Sequence, residues 1–72
     1  MIVAVIRDKK SGNHKVLARF TDNEIDAATE LLKDFIRHNK KVSGAINIVF
    51  PDGERKLLKR VKRSWTGRVV VS

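Results

Sequence analysis

The chain has 72 residues, no cysteine, and sixteen Lys and Arg against eight Asp and Glu, a formal charge of +8. That length makes one domain, and the lack of cysteine excludes disulfides and thiolate-ligated zinc. The longest apolar run, Ile2 to Ile6, falls far short of the roughly 20 residues needed to cross a bilayer.

A hydrophobic share of 42 %, mostly Val, Ile and Leu, is that of a folded domain and argues against disorder. A chain this short buries only about 60 % of the surface exposed when unfolded, so it is marginal alone. A homodimer interface is one way to add buried area. Positive charge follows the first apolar stretch instead of preceding it, unlike a secretory signal, so the expected compartment is the cytoplasm.

Ile2-Val3-Ala4-Val5-Ile6 reads as a buried β-strand, broken by the turn residues of Asp8 to Asn13. Lys15 to Phe20 then alternates, with Val16, Ala18 and Phe20 on one face, which suits an antiparallel hairpin. Thr21-Asp22-Asn23-Glu24 fits a capping box, with Thr21 as N-cap and Glu24 at the third helical position. Phe20 and Ile25 are spaced for a hydrophobic staple. Ile25, Ala28, Leu32, Phe35 and Ile36 recur at helical spacing, with Leu31 widening the stripe. These signals predict a helix from about Asp22 to His38, broken by Asn39 to Gly44. Acids in its first half and cations late complement the helix dipole.

Ala45 to Phe50 is the third predicted strand, presenting Ile46, Ile48 and Phe50 together. Pro51-Asp52-Gly53 is a strong turn, because Pro fixes φ at the first corner and Gly accepts positive φ at the exit. It predicts a hairpin into Glu54 to Lys62. On that strand Leu57 and Val61 would share a face, but Lys59 lies between them and Leu58 points away. Leu57, Leu58, Val61 and Trp65 equally fit a basic amphipathic helix; the Pro-Asp-Gly turn favours the strand. Ser64 to Gly67 turns the chain again, and Arg68 to Val71 completes the order ββαβββ. The expected fold is α+β: an antiparallel sheet with one amphipathic helix packed on one face.

Five of the eight acids (Asp22, Glu24, Asp26, Glu30, Asp34) fall on the predicted helix, and Glu54 is the last acid in the chain. Beyond it come Arg55, Lys56, Lys59, Arg60, Lys62, Arg63 and Arg68. The first hairpin adds Lys9, Lys10, Lys15 and Arg19, with Arg7, against Asp8 alone. If these side chains share the sheet face that the helix leaves bare, they form one positive surface for the phosphates of DNA or RNA. Trp65, set among Lys62, Arg63 and Arg68, could stack on an unpaired base. The plainer readings are an edge strand kept apart from other edges by its charge, and Trp65 as a core anchor, the favoured role for a lone Trp in so small a protein.

Catalytic chemistry lacks a constellation. Ser11-Gly12-Asn13-His14 is explained by a turn, since a nucleophile and base must meet in space with an orienting group. His14 and His38 stand apart and make no metal set, and the four glycines stand singly, with no phosphate-cradling loop. No enzyme activity, metal or cofactor is expected. Nucleic acid is the leading partner. A small inhibitor or adaptor docking on an acidic protein surface is the rival. A peripheral membrane role requires the helical alternative for Arg55 to Trp65.

Overall fold

A computed structural model describes residues 1–72, and the chain forms a five-stranded antiparallel sheet and one helix, in the expected order ββαβββ. β1 (Ile2–Asp8) and β2 (His14–Phe20) pair as a hairpin. Its turn is closed by the Gly12 N–H donating to the Asp8 carbonyl at 2.7 Å. The Asp8 carboxylate accepts the Lys10 N–H at 2.8 Å, so this acid serves the turn.

The helix α1 spans Ile25–His38 and starts three residues later than the sequence predicts. Only half of the capping box forms: Glu24 Oε1 reaches back to the Thr21 N–H at 3.0 Å, but the Thr21 hydroxyl donates to that same carboxylate instead of accepting a helix N–H. The hydroxyl contact, and after it the backbone one, hold the Glu24 carboxyl below the ordinary glutamate range. Ala28, Leu32 and Ile36 are fully buried along the helix, and Phe20 and Ile25 pack beside them at its start. Leu31, read as part of the stripe, is exposed, and Phe35 is only half-buried.

β3 (Val42–Val49) begins earlier than expected and contains Gly44. A Cβ at Gly44 would lie 3.1 and 3.2 Å from the Leu32 methyls and 3.3 Å from the Ile36 Cδ1. Glycine there lets the helix lie close on the strand, a demand of packing that looks in the sequence like a helix stop. Phe50, expected beside Ile46 and Ile48, lies past the strand end and is exposed. β4 (Arg55–Arg63) is a strand throughout, which removes the basic-helix alternative. β5 (Val69–Val71) follows as a short edge strand.

The strand order is β2-β1-β3-β4-β5. The core lies between α1 and the sheet: Ile2 and Ala4 of β1, Ile46 of β3 and Val61 of β4 meet Ala28, Leu32 and Ile36. Two β-bulges shape this layer, each adding one residue to one strand of a pair. In β2, Ala18 pairs with Ala4 but Val16 pairs with Val5, so Leu17 is the extra residue and turns to the core. Val16 therefore lies on the face opposite Ala18 and Phe20, contrary to simple alternation. In β4, Lys59 pairs with Ile46 and Leu57 with Asn47, leaving Leu58 as the extra residue. Leu58 and Val61 then face the helix together, while Leu57 faces away.

Candidate nucleic-acid interface

Paired residues in an antiparallel ladder point to the same side, so the register sorts the cations. Val3, Val5 and Arg7 alternate with the core residues of β1 and so face away from α1. Their partners follow them: Arg19 beside Val3, His14 beside Arg7, and on β4 Arg60 across from Ala45. Arg55, opposite Val49, and Lys62, opposite Val70, join the same free face. Of the residues proposed from the sequence, this face gathers Arg19, Arg55, Arg60 and Lys62. Arg7, counted among the first hairpin's cations, stands two positions from Val5 and shares its face; His14, which the sequence does not mark as a ligand, joins it there.

The free face is not uniformly charged. Val3 and Val5 are 4 % and 8 % exposed although no helix or loop covers them, so neighbouring side chains provide the shelter. Around Val5, Ala45 and Leu57 lies a depression of about 260 Å³, with Arg7, Arg60 and His14 on its walls. Its lining thus joins apolar side chains to two guanidinium groups.

The other proposed residues lie elsewhere. Lys15, Lys56 and Lys59 pair with Ile6, Ile48 and Ile46 and so point to the helix side of the sheet. Lys9 and Lys10 occupy the β1–β2 turn, where the Lys9 N–H donates to the Lys41 carbonyl at 2.9 Å. That bond brings Lys9 and Lys10 to Lys40 and Lys41, and the four line one cleft. The topology places this cleft at the end of the molecule where β1 and α1 finish and where β3 begins. The β4–β5 turn, with Trp65 and Arg68, lies at that end too.

Arg63 is engaged within the fold. Its guanidinium donates through Nη2 to the Ile36 carbonyl, and to the Arg37 carbonyl at 3.3 Å, both in the last turn of α1. Through Nη1 it donates to the Gly67 carbonyl at 3.1 Å. One side chain thus caps the Arg37 carbonyl, adds a second donor to the Ile36 carbonyl, which also accepts the Asn39 N–H at 3.3 Å, and braces the β4–β5 turn against the helix end.

That turn holds Trp65 at its first corner. The Gly67 N–H closes it on the Ser64 carbonyl at 2.9 Å, and Gly67, at φ 89°, takes the left-handed position that a three-residue hairpin loop requires. Trp65 is 97 % exposed. The core-anchor reading therefore fails: Trp65 stands in the loop between β4 and β5, outside the strands whose inner face meets the helix.

Charge varies along the strands more than across the sheet. Asp22, Glu24, Asp52 and Glu54 gather at the far end, where Asp22 pairs with the Met1 amino group at 2.5 Å. Of the sixteen Lys and Arg, only Lys33 has a carboxylate within ion-pairing range, that of Glu30 at 3.2 Å. The helical acids leave the interface cations unpaired. Comparison of the chain with protein-family models, with curated proteins and with solved structures gives no match, so the case for this interface rests on its own residues.

Proposed function

We propose that the protein is a non-enzymatic nucleic-acid-binding module, holding phosphates with the cations of the free sheet face and of the end where α1 finishes. The observation that carries this reading is the near absence of internal neutralisation: all Lys and Arg but Lys33 lack a carboxylate partner. Concentrated like charge costs stability in a small fold, and a polyanion recovers that cost through counterion release. An acidic protein surface would answer the same charge, and steering would speed either encounter. An indole standing clear of the fold among cations favours nucleic acid, because every base offers it a flat face. No helix is long and apolar enough to cross a membrane. A polynucleotide partner is consistent with work in the cytoplasm, and the reading needs no metal or cofactor.

The test is a binding titration against DNA and RNA over a range of salt. With about six phosphates engaged, log K should fall against log salt with a slope near −5 on duplex and near −4 on single strands. Joint replacement of Arg60 and Lys62 by Ala should make that slope shallower by roughly one to two and leave the fold intact. Failure to bind any DNA or RNA at about 50 mM salt would overturn the assignment and leave the acidic-protein partner in its place.

A further inference from the structure

We infer that the ligand is single-stranded nucleic acid, with one base stacked on Trp65 and the strand passing Lys62 to set a second base in the depression between Arg7 and Arg60. This rests on the nucleic-acid reading above and narrows it to one class of polynucleotide.

Dimensions argue first against a groove. A β-ribbon can read the major groove because that groove, about 12 Å wide, admits two strands. Here both hairpins are built into one continuous sheet whose five strands, at about 4.8 Å spacing, span roughly 19 Å. The sheet is too broad to enter. Only hairpin tips could reach in: the β1–β2 tip carries lysines that meet phosphates as point charges, and the β4–β5 tip presents an indole, which cannot match a base edge with a bidentate pair.

The chemistry of the two stations argues next. Trp65 offers an open aromatic face at a tied corner, held by the Gly67–Ser64 bond and braced by Arg63. A base within a duplex has both faces covered by its neighbours, and exposing one costs a few kcal/mol of stacking. An unpaired base carries no such cost. The depression repeats the pattern, offering the apolar side chains of Val5, Ala45 and Leu57 to a base and the guanidinium groups of Arg7 and Arg60 to the flanking phosphates. Lys62 lies on the free face, between Arg60 and Trp65 along the chain. Five positions separate Arg60 from Trp65, at most about 17 Å at strand spacing, so a strand of about four nucleotides, the lower limit for small single-strand binders, is enough to engage both.

The experiment uses the full chain and a dye-labelled oligothymidylate of about eight nucleotides, beside a duplex of the same length, at about 50 mM salt. Expected are tighter binding of the single strand, quenching of the Trp65 emission, and an affinity loss of about 5- to 150-fold in Trp65→Ala, the range for loss of one stacked base. Trp65→Phe should keep most of the affinity. Circular dichroism should match the wild type for both, because Trp65 packs on nothing. Duplex bound as tightly as single strand, or Trp65→Ala within about two-fold of wild type, overturns this inference while the nucleic-acid reading stands. Binding to neither probe overturns both.

Discussion

Arg63 separates a structural cation from a binding one. Replacement by Met keeps the aliphatic stem and removes the guanidinium, so the carbonyls of Ile36, Arg37 and Gly67 lose a charged donor. The Ile36 contact is the part-buried one, and a charge-assisted hydrogen bond there contributes about 1.5–3 kcal/mol. The other two are exposed, and water replaces them at little loss. The substitution also removes the buried Nε, which has no partner, so a net cost of about 1–2 kcal/mol lowers the melting temperature of so small a domain by roughly 4–16 °C. Thermal unfolding followed by circular dichroism measures this directly. The control is the neighbouring Lys62→Met, on the opposite face, which should melt like the wild type but make the salt slope of binding shallower by about 0.7–0.9. Arg63→Met should leave that slope as it was. The reverse pattern, an unchanged melting temperature with a shallower slope, would make Arg63 a phosphate ligand and remove its role at the helix end.

Two further predictions concern the fold. Gly44→Ala brings a Cβ against the Leu32 and Ile36 methyls and should cost about 1–3 kcal/mol in urea unfolding; an unchanged midpoint would show that those methyls give way and that the close approach does not require glycine. The lowered pKa of Glu24 means that the unfolded chain binds its proton more readily. Its stabilising effect is therefore complete above about pH 4.3, the unfolded value, and is lost as pH falls through the lower folded value. Glu24→Gln should flatten stability against pH in that acid window, and a profile parallel to the wild type would remove the role of the Thr21–Glu24 contact.

The parts of this structure that local chemistry specifies are legible in the sequence. The helical spacing of Ala28, Leu32 and Ile36 marks the buried face, and Pro51-Asp52-Gly53 closes the hairpin it predicts, with the Gly53 N–H on the Phe50 carbonyl at 2.9 Å. The bulges are another matter. Counting by twos cannot register an added residue, so Val16 and Leu57 are placed on the wrong face by any strict alternation. In β4 the same defect makes Leu57, Leu58 and Val61 look helical, because an extra residue turns a period of two into a spacing near three. Gly44 misleads for a related reason: its value lies in what Leu32 and Ile36 need from across the fold.

The candidate site follows the same division. That Arg55 to Arg68 is cationic is plain from the chain, but which of these residues share a surface depends on strand register, and which end they occupy depends on strand order. Arg63 and Arg60 look alike in sequence, yet one braces a helix end and the other lines an open depression. Arg7 joins the latter through the pairing of β1 with β3, and His14 through the pairing of β1 with β2.

The four carboxylates gathered at one end and the lysine cleft at the other give the molecule an electrical polarity along its strands, softened by Arg19, Arg55 and Lys56 near the acidic end. Such a body feels a torque near a polyanion, and within about a Debye length, roughly 8 Å in physiological salt, it turns before it touches. Trp65 then arrives leading, and the carboxylate end trails outward into solvent. Productive collisions become a larger share of all collisions, a gain in speed that added salt erases before it erases the bound state.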